Sequence, residues 1–308
     1  MELILTLDVG TTSVKACLFD RQLRQTALTS REYALQTRGV CAEVEAQVYL
    51  DAAAQCILAL PAEARAKVCA VALTTQGETL LCVDRQGKAL RPAIVWLDSR
   101  AEAQAARLAA ALDRQRFYER TGLPELSGAL PLAKLLWLRE QEPESWARTD
   151  KFLLLEDYLM LWLTGRAVTE KSLLTSTGYF DLQSDDYWDE ALALAELDRT
   201  CLPQALACGS IVGPVLPEVA EALGLPASAC VVTGAMDQTA AALAAGCTRP
   251  GTLCETTGTA MVAAAFTAHP QFSEDHHVTI YRHAMPGAYL YLPCLLYTSP
   301  SPRDRSVS

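Results

Sequence analysis

The chain has 308 residues, of which 51% are hydrophobic and 20% are charged, and its formal net charge is -10. This length and composition are typical of a globular protein with one large domain or two smaller ones. The acidic balance argues against a nucleic-acid partner, because there is no surplus of Lys and Arg to neutralise phosphates.

The cysteines and the apolar runs indicate the compartment. The eleven cysteines form no C-x-x-C pair, and Cys69, Cys82 and Cys230 lie in apolar, strand-like runs. This pattern favours buried, reduced thiols of a cytoplasmic protein over disulfides. The apolar runs are too short or too interrupted by charge to predict a signal peptide or a membrane helix. The four histidines form no cluster that suggests a zinc site.

The first half of the chain predicts strands followed by helices. The strands are expected at residues 3–7 and 14–18, joined by a turn at 10–13, and over REYALQT, KVCAVALTT and AIVWLDSR. LLCVDRQGKAL predicts a hairpin with Gly87 in its turn. Apolar residues spaced by four predict a helix over residues 44–60, and an Ala- and Arg-rich run predicts one long helix over 99–120.

The second half predicts more helices and a last group of strands. Helices are expected over LAKLLWLREQ with Pro131 in the first turn, over KFLLLEDYLMLWLTG with Gly165 at its end, over PEVAEALGLP, and over residues 237–245. A loop-rich segment separates the second and third of these. Strands are expected over ACVVTG, TLCETTGTAMVAAAF, HHVTIYR and AYLYLP. The alternation of strands and helices predicts an α/β fold.

Four predicted strands end in polar residues, at Asp8, at Gln76 to Glu78, at Asp98 and at Asp237. In an open α/β sheet, ligands bind beside the carboxyl ends of the strands, so these residues are expected to line one edge. For Asp237 taken alone, a helix cap is the simpler explanation.

The segment LDVGTTSVKACLFD joins an acidic strand end to a Gly-Thr-Thr turn. The backbone amides and hydroxyls of Gly10, Thr11 and Thr12 suit phosphate oxygens, and Asp8 suits Mg²⁺. An ordinary hairpin turn is the alternative, and the segment is not a Walker A loop.

Several segments together resemble the FGGY family of carbohydrate kinases. These are DVGTTSVKACLFD, TTQGETLLCVDRQGKALRPAIVWLDSRA, LPLAKLLWLREQ, GAMDQTAAALAAGCTRPG and TTGTA, which occur in the family's order. Ala129 departs from the family signature, which has Gly, Ser or an aromatic residue there. A chaperone-type ATPase would have a Gly-Gly-Gly-Thr-x-Asp loop, which this chain lacks.

The resemblance implies an actin-like, ribonuclease H-like ATPase fold and ATP-dependent phosphorylation of a small sugar or polyol, with ATP and Mg²⁺ as cofactors. It implies that Asp237 is the general base and that Asp8 organises Mg²⁺. It also implies phosphate contacts from Gly10, Thr11, Thr12, Gly258 and Thr259, and substrate contacts from Gln76, Gly77, Glu78, Asp98 and Gln238.

Other roles stay open at this point. The substrate stays open between a pentulose, a hexulose and a glycerol-like polyol. Residues 76–78 are Gln-Gly-Glu, whereas glycerol kinases have Gln-Arg-Glu at this place and xylulokinases usually have Gln-Met-His. Trp96 is expected in the core, with a wall of the sugar site as the alternative. Lys15 and Lys134 are expected to be structural, with Lys134 reaching the surface or a carboxylate. Whether the protein forms a homodimer is also open.

The resemblance also implies three regions. Residues 1–248 are expected to form the family's N-terminal domain and 249–293 the beginning of its second domain. Residues 294–308 resemble no part of a kinase. A DNA sequence that encodes Cys294 to Asp304 resembles a transposase adapter used in sequencing libraries, so this tail is expected to come from the library. The chain by itself is therefore expected to be inactive; a non-catalytic sugar-binding protein and an actin-like ATPase are the alternative functions.

Overall fold

A computed structural model of the protein describes residues 2–257, 261–275 and 277–293. The strands are β1 Leu3–Val9, β2 Ser13–Phe19, β3 Gln25–Glu32, β4 Gln36–Arg38, β5 Cys41–Val44, β6 Val68–Thr75, β7 Leu80–Val83, β8 Ala93–Ile94, β9 Lys151–Leu154, β10 Val168–Glu170, β11 Phe180–Asp181, β12 Asp186–Tyr187, β13 Gln204–Leu206, β14 Ile211–Pro214, β15 Cys230–Met236, β16 Leu253–Thr257, β17 Met261–Thr267, β18 Ile280–Arg282 and β19 Tyr289–Tyr291. The helices are α1 Ala46–Ala59, α2 Ala62–Arg65, α3 Glu102–Ala111, α4 Arg114–Thr121, α5 Pro131–Gln141, α6 Pro143–Arg148, α7 Leu155–Thr164, α8 Lys171–Leu174, α9 Asp189–Leu194, α10 Pro217–Leu223 and α11 Asp237–Ala244. Within this part of the chain, the helices are too short or too polar to cross a membrane.

The central sheet has six strands in the order β14-β15-β6-β1-β2-β3. The three middle strands β15, β6 and β1 are parallel, and the outer pairs are antiparallel. In the register, Thr75 of β6 lies opposite both Val9 of β1 and Met236 of β15. The carboxyl ends of the three parallel strands therefore meet at one level of the sheet.

Two large apolar cores surround this sheet. One joins the central sheet to α1, α7 and α10, and the other lies among the helices α3 to α5 and the segments that follow α7. A second sheet, in the order β4-β5-β8-β7-β9, lies between them. The strands β16 to β19 form a separate antiparallel sheet with a small core of its own.

Most of the predicted elements are confirmed. The strands at residues 3–7 and 14–18 pair as β1 and β2, KVCAVALTT contains β6, and ACVVTG opens β15. Pro131 occupies the first turn of α5, and Gly165 and Gly224 end α7 and α10 in the left-handed conformation. None of the ten cysteines in the described residues is in a disulfide.

Four predicted elements are wrong in extent. The single helix over 99–120 is two helices, because Asp113 caps α4 by accepting a bond from the amide of Arg116. KFLL is the strand β9, and the helix begins only at Leu155. AIVWLDSR contributes two strand residues, and REYALQT spans the end of β3 and the start of β4.

Candidate active site

Asp8 and Asp237 lie on either side of β6, at the edge where the parallel strands end. Asp8 is in β1 opposite Thr74, and Asp237 follows Met236, which is opposite Thr75. Asp237 is the first residue of α11, and its Oδ1 accepts a 2.6 Å hydrogen bond from the amide of Gln238. Asp237 thus begins a helix and also presents a carboxylate at the sheet edge.

The environment of Asp237 makes its carboxylate more basic than usual. Burial raises the pKa of Asp237 to about 6, the amide of Gln238 opposes this rise, and the negative charge of Asp8 adds to it. A carboxylate with a pKa close to neutrality can accept a proton from a substrate and still be ionised at pH 7.

The turn after β1 combines a carboxylate with unused backbone donors. Gly10 donates its amide hydrogen to the carbonyl of Ser13 at 3.0 Å, and the side chain of Asp8 is 42% exposed and lies 3.3 Å from Nζ of Lys15. Among the described residues, the amides of Thr11 and Thr12 have no acceptor. A carboxylate beside free amides fits a magnesium-bound phosphate, which needs one or two carboxylates and several donors.

Gln76 and Gly77 directly follow β6, at the same edge of the central sheet as Asp8 and Asp237. The backbone amide of Gln76 donates to the carbonyl of Val9 at 3.1 Å, and its buried Oε1 has no partner within the described part of the chain. A Cβ atom on Gly77 would lie 3.0 Å from Oγ of Ser176. Gly77 therefore lets Ser176 approach the loop closely.

Glu78 has a backbone conformation that is uncommon for a residue with a side chain. Its φ angle is 50°, in the left-handed region, where strain often accompanies function. Burial raises the pKa of Glu78 to about 7, Lys134 opposes the rise, and Asp237 adds to it. The carboxylates of Glu78 and Asp237 are therefore close enough for their negative charges to interact.

Lys134 lies directly behind this loop. It is fully buried on α5, and its Nζ donates to the backbone carbonyls of Glu78 at 3.1 Å and Val95 at 3.0 Å. Burial lowers its pKa to about 8, and the charges of Glu78 and Asp98 oppose that shift. Of the two predicted surroundings of Lys134, the surface is wrong, whereas the carboxylates of Glu78 and Asp98 are close enough to interact with its charge. As expected, the residue is structural, because its ammonium group holds two loops of the site.

Asp98 is bound within the protein and is not on the central sheet edge. It is fully buried, and its carboxylate accepts bonds from the amide of Ala42 at 2.6 Å and from the guanidinium of Arg100 at 2.6 and 2.9 Å. The expectation that it lines the same edge is wrong, because β8 belongs to the second sheet. Its contact with substrate stays a prediction.

The remaining predicted residues are Trp96, Gln238, Gly258 and Thr259. Trp96 is 37% exposed and its Nε1 donates to Oγ1 of Thr11 at 2.9 Å, so the core assignment is wrong. Gln238 is partly buried next to Asp237. Gly258 and Thr259 lie outside the described residues. Sequence reasoning missed Ser176, which packs against Gly77 and donates its hydroxyl hydrogen to the carbonyl of Leu173 at 3.0 Å; the signal was the Ser- and Thr-rich run after Glu170.

Residues 3–244 match the model of the FGGY family of carbohydrate kinases, N-terminal domain. The chain belongs to this family. This FGGY chain is 30% identical over 293 residues to the xylulose kinase of Lactococcus lactis, covering 94% of this chain and 58% of that protein. It is 26% identical over 280 residues to the gluconokinase of Bacillus subtilis, covering 90% of this chain and 54% of that protein.

A solved xylulose kinase from Rhodospirillum rubrum superposes on the FGGY chain with a TM-score of 0.88 and 28% identity, over 95% of this chain and 60% of that one. This likeness confirms the predicted actin-like ATPase fold. The FGGY chain spans between 54% and 60% of these three relatives.

Proposed function

We propose that the protein transfers the γ-phosphoryl group of ATP to a hydroxyl of a small sugar or polyol, with Asp237 as general base and Mg²⁺ as cofactor. The observation that carries the proposal is the pair Asp8 and Asp237 at the common end of parallel strands, in a chain of the FGGY family. The xylulose kinases and gluconokinases among its relatives support this class of reaction.

Asp237 acts on the nucleophile. The substrate hydroxyl donates a hydrogen bond to its carboxylate, and the proton moves to Asp237 as the oxygen attacks phosphorus. The pKa of about 6 keeps Asp237 ionised at pH 7 while making it a better proton acceptor than an exposed aspartate. Gln238 is placed beside the base to contact the same sugar.

Asp8 and the following turn act on the phosphates. When bound, Mg-ATP supplies the phosphoryl group and neutralises the charge that develops on it. Asp8 holds the metal directly or through water, and the free amides of Thr11 and Thr12 bind phosphate oxygens. The bond from Trp96 to Oγ1 of Thr11 orients this turn.

The sugar side of the site suits a neutral substrate. Glu78 and Asp237 present carboxylates, and Oε1 of Gln76 is an acceptor without a donor in the described structure. Lys134, a buried cation behind this loop, is already bonded to two carbonyls. Hydroxyl groups satisfy such acceptors, whereas the carboxylate of a sugar acid is repelled by them. We therefore propose a ketose or polyol.

The 308 residues alone are proposed to bind the sugar weakly and not to turn over ATP. They span 58% of the xylulose kinase of Lactococcus lactis, which supports this proposal. The test therefore uses the longest form of the protein that its gene encodes, with the 308-residue chain in parallel.

The experiment is an ADP-release assay with xylulose, glycerol and gluconate. A kinase releases ADP only with its sugar, an ATPase releases it without sugar, and a sugar-binding protein releases none. Asp237→Asn should lower kcat by about a thousandfold or more while sugar binding persists. Asp51→Asn, on the exposed face of α1, is the matched control. Undiminished turnover in Asp237→Asn would refute the assignment of the base.

A further inference from the structure

Three carboxylic acids are buried together behind the strand that carries Asp237. Glu156 and Asp157 open α7, and Glu170 ends β10; each is at most 1% exposed. Oε2 of Glu156 and Oδ1 of Asp157 have no hydrogen-bond partner among the described atoms. Burying acidic side chains without a paired cation lowers the stability of the folded protein, so we expect these three acids to perform a role.

The end of β15 needs partners that its neighbour strand does not supply. β14 pairs with β15 only as far as Val232, and the pairing with β6 shifts register between Val232 and Ala235. The amide of Gly234 donates instead to Oε1 of Glu156 at 3.0 Å. The amide of Met236 donates to Oε1 of Glu170 at 3.2 Å and to Oγ of Ser172 at 3.1 Å.

The shifted segment is also held from the other side. A Cβ atom on Gly234 would lie 1.4 Å from the carbonyl oxygen of Leu73, so the backbones of β15 and β6 approach too closely for any other residue. The hydroxyl of Thr74 donates to the carbonyl of Ala235 at 2.7 Å. Residues 234–236 are thus fixed between β6 and the two carboxylates, immediately before Asp237.

We propose that Glu156 and Glu170 are positioning residues that fix the shifted end of β15, and with it Asp237, by accepting the amide hydrogens of Gly234 and Met236. The catalytic consequence rests on the proposed function, whereas the structural role does not. Substrate is not contacted by either residue in this role.

The same acids make the stability of this strand end depend on pH. Burial raises the pKa of Glu156 well above its usual value, with Glu170 and Asp157 adding to the rise, and it raises that of Glu170 to about 7. Burial likewise raises the pKa of Asp157 to about 8. Among the described residues, the other titratable groups whose charges interact with this cluster are Cys208, Tyr179 and Tyr187.

The sign of this dependence follows from the raised pKa values. The folded protein keeps protons that the unfolded chain releases near pH 4, so stability falls as the pH rises toward 8. Each retained proton changes the unfolding equilibrium constant about tenfold per pH unit.

The test compares Glu156→Leu, which removes the acceptor, with Glu156→Gln, which keeps it, and with Glu221→Gln on the exposed face of α10 as control. In the longest encoded form, Glu156→Leu should exchange the amide of Gly234 about tenfold faster and lose about a hundredfold in kcat, with the sugar KM nearly unchanged. Glu156→Gln should keep both properties. Glu156→Gln should also make the free energy of unfolding fall less steeply between pH 6 and pH 8. Its unfolding equilibrium constant should rise by up to tenfold less per pH unit than that of the wild type.

Wild-type exchange and kcat in Glu156→Leu would overturn the proposal. Equal losses in Glu156→Gln and Glu156→Leu would also overturn it, because the amide keeps the acceptor oxygen. If Glu156→Leu does not fold, Glu170→Leu, with Glu170→Gln as its acceptor-keeping control, gives the same exchange comparison at the amide of Met236. A wild-type protein that phosphorylates none of the sugars would refute the proposed function, while the exchange rates would still decide the positioning role.

Discussion

Replacing Lys134 by Met should destabilise the protein strongly. Met has a similar length and fits the space on α5, but it donates no hydrogen bond. The carbonyls of Glu78 and Val95 would lose a charged donor, and the carboxylates of Glu78 and Asp98 would lose a nearby positive charge.

The size of the effect follows from these contacts. A hydrogen bond from a charged group contributes about 1.5–3 kcal/mol, and Lys134 makes two, at 3.1 and 3.0 Å. Part of this is offset because Met no longer requires the burial of an ammonium group, which is fully enclosed here. Removing one partner of a buried charge pair typically costs about 3–5 kcal/mol, so we expect a loss of about 4 kcal/mol.

Urea unfolding of the 308-residue chain at pH 7, followed by circular dichroism, measures this loss. Lys88→Met, at an exposed position in the turn after β7, is the control and should change little. A loss below about 1 kcal/mol for Lys134→Met would show that the ammonium contributes no net stability and that the estimate from its contacts is wrong.

Two further predictions concern catalysis by the longest encoded form. Because Asp237 has a pKa of about 6 and must be ionised to act, kcat/KM should fall tenfold per pH unit below that value, and a profile flat down to pH 5 would exclude it as the base. At pH 8, where Glu78 with its pKa of about 7 is mostly ionised, Glu78→Gln removes a negative charge close to Asp237, so the ratio of gluconate to xylulose turnover should rise about tenfold. An unchanged ratio would mean that Glu78 does not select against sugar acids.

Motifs at strand ends were the most informative part of the sequence. Asp8, Gln76 and Asp237 were expected on one edge, and the parallel pairing of β1, β6 and β15 confirms it. The pattern succeeded because a buried parallel strand is a continuous apolar run and its end is marked by the first polar residues.

Other features depend on contacts that local sequence does not contain. The predicted long helix breaks at Asp113, since an Asp can also cap a new helix and the Ala-rich run hides the interruption. Lys134 resembles a surface lysine in its sequence context, and only the approach of the loops at Glu78 and Val95 makes it a buried donor. The Ser and Thr residues after Glu170 form a sequence that is typical of an exposed loop, and only the contacts of the folded chain bury them.

The pairing of β6 with β15 has a consequence for biosynthesis. Thr74 and its partner Ala235 are separated by 161 residues, so the edge that carries Asp8 and Gln76 gains the strand β15 only after the intervening chain has been made. At about 5–20 residues per second, the ribosome needs on the order of ten seconds or more to make the intervening chain. During that interval β6 pairs only with β1, and its other edge exposes unpaired backbone N–H and C=O groups. The nascent protein is then most exposed to chaperone capture and to aggregation.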